Sequence, residues 1–228
     1  MATDNQMHDL KTKLATYKRK YLRKEFSKAN EAATRIMVNS LLTDILGYTE
    51  LEEIKTEYRI RHEYADYVIQ LKRKKHFVVE VKSIDLDINE RHLNQSLAYA
   101  ANEGIDWIVL TNGRQIYLYR VNFGKPVTTT LIYKVDLLDN EDFKKAPGFL
   151  CHLTKNAVSK GDLEGFYKRT NALAEDHLAK LLYSEDIVKR LTQRPKSRDR
   201  HLLPARRRCQ LLLRAYSSRR RNPPEATP

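Results

Sequence analysis

The sequence feature that most constrains the fold is the stretch from Tyr64 to Ser83, which reads YADYVIQLKRKKHFVVEVKS. Apolar and polar residues alternate on both sides of its basic KRK segment, and a period of two is typical of β-strands. The stretch therefore predicts two antiparallel strands joined by a short turn. Each strand nevertheless carries ionisable side chains within its pattern, Asp66 in the first and Glu80 and Lys82 in the second.

In both predicted strands the odd-numbered positions are apolar. They are Tyr67, Ile69 and Leu71 in the first strand and Phe77, Val79 and Val81 in the second. If the two sets cover one core, directly opposed residues have numbers of equal parity, which requires an odd-length connection around KRK. This register places Asp66 opposite Glu80 or Lys82 on the other face. The periodicity alone therefore predicts that an aspartate, a glutamate and a lysine converge on one patch.

Such a patch has two chemical interpretations. Two carboxylates at this spacing repel each other unless a cation lies between them, and their oxygens suit Mg²⁺ or Mn²⁺. A neighbouring lysine can then orient an attacking water or stabilise charge on a phosphate. The alternative is a surface salt-bridge cluster, because Glu-x-Lys pairs are common in strands. On three residues alone, the salt-bridge interpretation is slightly favoured.

The next predicted helix, from Asn89 to Gly104, adds two polar residues to this set and ends at its glycine. Gln95 and Tyr99 are four residues apart, so they share one face of the helix a few residues after Lys82. Gln95 can orient the lysine or a scissile phosphate, and Tyr99 can pack beneath it or contact the DNA backbone. The alternative for both is an ordinary helix face.

The other segments predict a mixed sheet flanked by helices. The predicted strands are Thr56–Ile60, Tyr64–Leu71, His76–Ser83, Asp106–Asn112, Gln115–Val121 and Thr128–Val135. A strand–helix–strand passage within an otherwise hairpin-linked set is typical of an α/β fold. A second helix, from about Lys28 to Leu46, is stopped by Gly47 and carries Glu31 on its inward stripe. Because the helix dipole favours a carboxylate in the first turn, Glu31 at this position is consistent with a structural role.

The net charge of +13 is unevenly distributed along the 228 residues. Residues 194–228 contain eleven Lys or Arg against two acidic residues, so they carry +9 and residues 1–193 only +4. The charge is therefore a weak argument for a nucleic-acid partner of the body. We interpret the Arg- and Pro-rich end as a disordered basic tail, with translation of a shifted reading frame as the alternative. A basic amphipathic helix near the N-terminus presents either a solvated or a phosphate-contacting face.

Several function classes are excluded or disfavoured. No apolar run is long enough to cross a membrane and the first residues lack the apolar segment of a secretory signal, so we expect a cytoplasmic protein. Cys151 and Cys209 show neither a disulfide framework nor zinc-ligand spacing. A Gly-x-x-x-x-Gly-Lys-Ser/Thr loop is absent from the sequence, which excludes a motor that depends on it.

The ordered set of motifs resembles the N-terminal nuclease domain of type I restriction enzyme R subunits, within the PD-(D/E)xK nuclease superfamily. The resemblance covers roughly Lys28 to Lys155. It rests on NEAATRIMVNSLLTDILGY, YADYVI, FVVEVKS, QSLAYA and DWIVLTNG, which stand in the family's order. The sequence departs at one position, because Ala65 rather than proline precedes Asp66.

The resemblance implies a restriction-endonuclease-like α/β fold and Mg²⁺- or Mn²⁺-dependent DNA cleavage. It implies the metal ligands Glu31, Asp66, Glu80 and the carbonyl of Val81, and the catalytic set Asp66, Glu80, Lys82, Gln95 and Tyr99. The expected partners are DNA and the methyltransferase, specificity or helicase subunits of a restriction system. Two alternatives stay open: a catalytically silent DNA-binding or assembly module with the same fold, and an RNA-processing nuclease.

We therefore predict four segments: a basic N-terminal helix over residues 1–26, a nuclease-like core over 27–155, a helical segment over 156–193, and the basic tail over 194–228.

Overall fold

The centre of the fold is a six-stranded mixed sheet in which the strands follow one another in chain order. The strands are β1 (Ile54–Ile60), β2 (Glu63–Leu71), β3 (Lys74–Val81), β4 (Trp107–Thr111), β5 (Gln115–Asn122) and β6 (Thr128–Asp136). Strands β3 and β4 run parallel, and the other neighbouring pairs are antiparallel. A helix connects the parallel pair, as a parallel connection requires. The predicted α/β restriction-endonuclease-like fold class is confirmed.

This computed structural model describes residues 3–60, 63–172, 182–184 and 186–187. The chain divides into two units, Met1–Lys168 and Arg169–Pro228, and the sheet belongs to the first. The predicted tail over 194–228 and Cys209 lie outside the described residues, as does most of the helical segment predicted beyond residue 172. Within the described ranges, no helix is both long and apolar enough to cross a membrane.

Helices cover both faces of the sheet. They are α1 (Asp4–Tyr21), α2 (Glu31–Ser40), α3 (Asn94–Glu103), α4 (Asn140–Leu150), α5 (Lys155–Ser159) and α6 (Asp162–Ala172). Helices α1, α2 and α4 share a core with the odd-numbered residues of β2 and β3. Helix α3 covers the opposite face, where Val68 and Val78 lie in a second core. The alternation in β2 and β3 is therefore mainly between two cores, and Asp66 and Glu80 lie at the edge of the second.

Helix α2 begins three residues later than predicted. Asn30 caps it, because its side-chain oxygen accepts a hydrogen bond from the Ala33 N–H at 2.9 Å. The α-helix ends at Ser40 and continues as one π-helical turn, Leu41–Ile45. A short 3₁₀ turn, Lys24–Phe26, precedes α2.

Helix α4 has no counterpart among the predicted elements. Its N-cap is Asp139, whose carboxylate accepts hydrogen bonds from the backbone N–H groups of Glu141 and Asp142. Asp-Asn followed by two acidic residues is a sequence signature of a helix start, so this element could have been predicted.

The turn between β2 and β3 differs from the prediction. Lys72 and Arg73 form a two-residue turn with positive φ angles of 47° and 67°, not an odd-length connection. Such a turn alone would pair odd with even positions. A one-residue bulge at His76 restores equal parity, so that Tyr67 lies opposite Val79. The predicted register therefore holds near the charged residues, although its cause is a bulge.

Candidate active site

The candidate site lies where the pairing of β2 and β3 ends, just beyond Tyr67 and its partner Val79. The next residue of β2 is Asp66, whose Oδ2 accepts a hydrogen bond from the Val81 N–H at 2.7 Å. The aspartate side chain thus replaces a backbone acceptor at the end of the ladder. This contact fixes Asp66 against the last residue of β3 and beside Glu80.

Glu80 is the buried carboxylate of the site, and only 3% of its surface is exposed. Lys82 Nζ donates a hydrogen bond to Glu80 Oε1 at 2.5 Å, and the Ser96 hydroxyl in the first turn of α3 also hydrogen-bonds the carboxylate. Burial raises the pKa of Glu80, and the charge of Asp66 raises it further. The hydrogen bonds from Lys82 and Ser96 oppose this rise without cancelling it.

Lys82 is partly buried, and its backbone N–H donates to the Thr111 carbonyl of β4 at 2.9 Å. Burial lowers the pKa of its ammonium group, but the hydrogen bond to Glu80 and the nearby carboxylate charges outweigh burial and raise the pKa above its ordinary value. Those charges belong to Glu80, Glu31 and Asp66. Lys82 is therefore a hydrogen-bond donor at neutral pH.

Arg35 of α2 is a second cation of the site, and sequence reasoning did not find it. Its Nη2 donates to Asp66 Oδ1 at 2.5 Å and to Glu31 Oε1 at 3.0 Å. Glu31 is therefore linked to Asp66 through a guanidinium group. The i,i+4 spacing of Glu31 and Arg35 on one helix was the available signal.

The structure brings together Asp66, Glu80 and Lys82, as the predicted register requires, but it does not bring Tyr99 to them. Tyr99 is fully buried in the core under α3, and its hydroxyl accepts a hydrogen bond from Lys75 Nζ at 3.2 Å. Lys75 and Lys82 lie at opposite ends of β3, roughly 20 Å apart along the strand.

Gln95 and Ser96 divide the first turn of α3 between solvent and core. Gln95 is exposed, whereas Ser96 is fully buried against Glu80. Gln95 and Tyr99, predicted to share one helix face, therefore differ in burial: Gln95 is exposed and Tyr99 is buried. Sequence reasoning missed Ser96, because a buried hydroxyl one position after Gln95 lies on a different face from Gln95 at 100° per residue.

Residues 30–132 match the family described as type I restriction enzyme R protein N terminus. This segment is therefore similar in sequence to that family. It extends from the N-cap of α2 into β6 and contains Asp66, Glu80 and Lys82. The match confirms the resemblance seen in the sequence and ends before the boundary predicted at Lys155. Neither the curated proteins nor the solved structures include a match to the chain.

The loop after Lys82 is anchored on α2. Ser83 Oγ donates to the Ala29 carbonyl at 3.1 Å, and the Ile84 N–H donates to Thr34 Oγ1 at 3.2 Å. The chain leaving β3 is therefore fixed against the first turns of α2, which carry Glu31 and Arg35. These contacts hold Lys82 and Arg35 in a defined position relative to each other.

The LTNG motif of β4 supports the other side of this loop. Asn112 Nδ2 donates to the Leu86 carbonyl at 2.8 Å, and the adjacent Thr111 carbonyl receives the Lys82 N–H. Gly113 has a φ of +79°, and a Cβ there would lie 3.3 Å from the Tyr17 hydroxyl. The motif therefore positions the backbone of Lys82.

The donor set of this domain fits a hard divalent cation. Asp66 and Glu80 supply carboxylate oxygens, and the carbonyl of Val81 is the additional oxygen ligand that the resemblance implies. Among the described residues there is no group of three or more His, Cys, Asp or Glu side chains placed to hold a metal, so Glu31 is not part of such a group. Mg²⁺ commonly uses one or two protein carboxylates and completes its shell with water and substrate phosphates. Two carboxylates therefore match the number that Mg²⁺ commonly uses.

Proposed function

We propose that the domain over residues 30–132 is a metal-dependent DNA endonuclease that hydrolyses phosphodiester bonds with Mg²⁺ or Mn²⁺. The observation that carries the proposal is the convergence of a buried Glu80, a ladder-ending Asp66 and a charged Lys82 at one end of β3. The R-protein N-terminal family supports a nuclease-like role for this segment. A salt bridge on the surface would not require a carboxylate that is 3% exposed.

Each side chain has a separate role in this proposal. Asp66, Glu80 and the Val81 carbonyl would hold the cation, which when bound supplies Lewis-acid polarisation of a phosphoryl oxygen. Ser96 and Lys82 hold the Glu80 carboxylate in one orientation. Lys82 carries its proton at neutral pH, so it donates a hydrogen bond to the phosphate or to the attacking water and does not act as a base.

The same proposal assigns DNA and further restriction-system subunits as partners, on the family's description. Contacts to phosphate groups position a protein on DNA without reading its sequence. We therefore assign the choice of target to methyltransferase, specificity or helicase subunits and only the cleavage chemistry to this domain. Gln95, exposed at the start of α3 beside Ser96, is the proposed contact to the scissile phosphate.

The test is nicking of a supercoiled plasmid by the full chain with Mg²⁺ or Mn²⁺. Asp66→Asn, Glu80→Gln and Lys82→Met are each expected to reduce the rate by about 100-fold or more, and EDTA is expected to abolish it. Equal rates in the wild type and all three variants would contradict the proposal. A parallel panel of DNA and RNA substrates separates a deoxyribonuclease from an RNA-processing nuclease.

The second candidate is a catalytically silent DNA-binding or assembly module. It is favoured by the pairing of Asp66 with Arg35 and of Glu80 with Lys82, which gives each carboxylate an internal counter-ion. Calorimetry distinguishes the two: Mn²⁺ binding that is lost in Glu80→Gln supports the enzyme, whereas DNA binding without any metal site supports the module.

A further inference from the structure

Arg35 is a charged group of the site that the proposed chemistry does not use. Its guanidinium bridges Asp66 and Glu31, and its side chain is 37% exposed, against 12% for Asp66 and 42% for Glu31. In the Arg35–Asp66 pair, the guanidinium is therefore more accessible to solvent than the carboxylate. The contact to Asp66 uses Oδ1, while Oδ2 is held by the Val81 N–H.

A divalent cation at Asp66 and Glu80 would lie next to this guanidinium. Two like charges at such a distance repel each other, and the repulsion is strong in a site where Glu80 is almost fully buried. Arg35 therefore competes with a metal ion for Asp66 Oδ1. Metal binding requires either a strong repulsion to be overcome or the guanidinium to move away from Asp66.

The surroundings of Arg35 allow such a movement. Glu31 lies one helical turn earlier and already accepts a hydrogen bond from the same Nη2, so the side chain keeps a partner when it leaves Asp66. A planar guanidinium also binds phosphate oxygens through two parallel hydrogen bonds. A DNA phosphate group that reaches the site would meet Arg35 at its exposed edge.

We propose that Arg35 couples metal binding to DNA binding. In the absence of both ligands it neutralises Asp66 and weakens the metal site, and a DNA phosphate draws its guanidinium off Asp66, so that each ligand strengthens the other. The inference rests on the proposed function for the identity of the two ligands. This coupling keeps the affinity for the metal ion low until a nucleic-acid backbone is bound.

Arg120 offers a matched control. It also bridges two carboxylates, Asp106 at 3.3 Å and Glu164 at 3.1 Å, and it stacks over the Trp107 and Tyr167 rings. Arg120 pairs with the first residue of β4, whereas Lys82 contacts the last residue of that strand. An Arg120 variant therefore shows the general effect of losing an arginine between two carboxylates, and an Arg35 variant shows the effect that is specific to the site.

The experiment is calorimetric titration of the full chain with Ca²⁺, an oxygen-seeking probe ion, with and without a short DNA duplex. Without DNA, Arg35→Gln is expected to bind Ca²⁺ at least about 5-fold more tightly than the wild type, and Arg120→Gln to match the wild type. The duplex is expected to tighten Ca²⁺ binding to the wild type by about 5-fold or more and to Arg35→Gln by less than about 2-fold.

Arg35→Lys keeps the charge without the planar fork, and circular dichroism verifies that each variant is folded. It is expected to bind Ca²⁺ without DNA as weakly as the wild type and to gain less from the duplex. Weaker or unchanged Ca²⁺ binding in Arg35→Gln, or an undiminished gain from DNA, would overturn the coupling. Coupling without any nicking would overturn only the enzymatic proposal, and absence of Ca²⁺ binding in every protein would overturn both.

Discussion

The two ends of β3 each carry a lysine paired with a glutamate, yet they differ in what surrounds the pair. At the start of the strand, Lys75 contacts Glu103 and the Tyr99 hydroxyl of α3, and the side chains of Lys75 and Glu103 are 19% and 22% exposed. At the other end, Lys82 contacts Glu80, whose side chain is 4% exposed. The two lysines are similarly exposed, at 19% and 21%, so the ends differ in the burial of the glutamate.

Local charge balance separates the ends more clearly than burial does. One cation faces one carboxylate in the Lys75 pair, whereas Glu80, Asp66 and Glu31 outnumber Lys82 and Arg35 at the site. Burial is the main cause of the raised pKa of Glu80 and the charge of Asp66 adds to it, while the hydrogen bond to Glu80 and the nearby carboxylates raise the pKa of Lys82. Excess charge in a buried cluster is typical of a site that receives a cation.

The largest expected difference between the ends is in catalysis. Lys82→Met is expected to reduce Mg²⁺-dependent nicking by about 100-fold or more, because it removes the charged donor of the site. Lys75→Met removes an equivalent charge some distance along the same strand and is expected to stay within about 3-fold of the wild type. Initial rates of plasmid nicking measure both effects. Similar losses in the two variants would contradict a catalytic role that is specific to Lys82.

A smaller effect is expected from the hydroxyl that holds Glu80. Ser96→Ala removes a hydrogen bond that lowers the pKa of Glu80, so the pKa rises further and the acid limb of the pH–rate profile moves to higher pH. We expect a loss of about 10-fold in rate at neutral pH, recovered in part at higher pH. Ser159→Ala, an exposed serine of α5, is the control, and a pH profile unchanged in Ser96→Ala would contradict the role.

The free energy of unfolding is expected to respond differently at the two ends of β3. The pKa of Glu80 is raised above its ordinary 4.5, so its burial stabilises the fold only while it is protonated, and this stability is lost as the pH rises through the raised value. Glu80→Gln should therefore raise the free energy of unfolding at neutral pH by about 1 kcal/mol, with the gain disappearing below pH 4.5. Glu103→Gln, which breaks a balanced pair, should give no gain. Urea unfolding across the pH range measures both.

The smallest effect is expected at Tyr99. Tyr99→Phe keeps the buried ring and removes one acceptor of Lys75, so the free energy of unfolding should fall by about 0.5–1 kcal/mol while nicking is unchanged. A large loss of nicking with unchanged stability would show that the hydroxyl serves the chemistry and would restore the role that the sequence suggests for it.

The positions of Asp66, Glu80 and Lys82 followed from the sequence because strand periodicity fixes which side chains share a face. The turn that produces this register did not follow, because a bulge at His76 compensates for a two-residue turn and leaves no trace in the apolar pattern. Periodicity also suggested one buried face for the hairpin. It could not show that α3 buries the opposite face as well, since that depends on a helix packed from elsewhere in the chain.

Arg35 and Ser96 were missed for a related reason. Each lies in a helix, and each acts on a carboxylate of a strand that is distant in sequence, so only the packing of helix on sheet brings them together. Tyr99 shows the reverse case. Its four-residue spacing from Gln95 is real, but the face it occupies points into the core under α3 and not toward the site.

The most direct test of the central claim is diffraction from crystals of the full chain soaked in Mn²⁺, measured for anomalous scattering. We predict an anomalous peak within about 2.0–2.5 Å of carboxylate oxygens of both Asp66 and Glu80, at the end of β3 that carries Lys82. Mn²⁺ peaks confined to other parts of the molecule, with Asp66 and Glu80 keeping their contacts to Arg35 and Lys82, would contradict a metal-dependent active site.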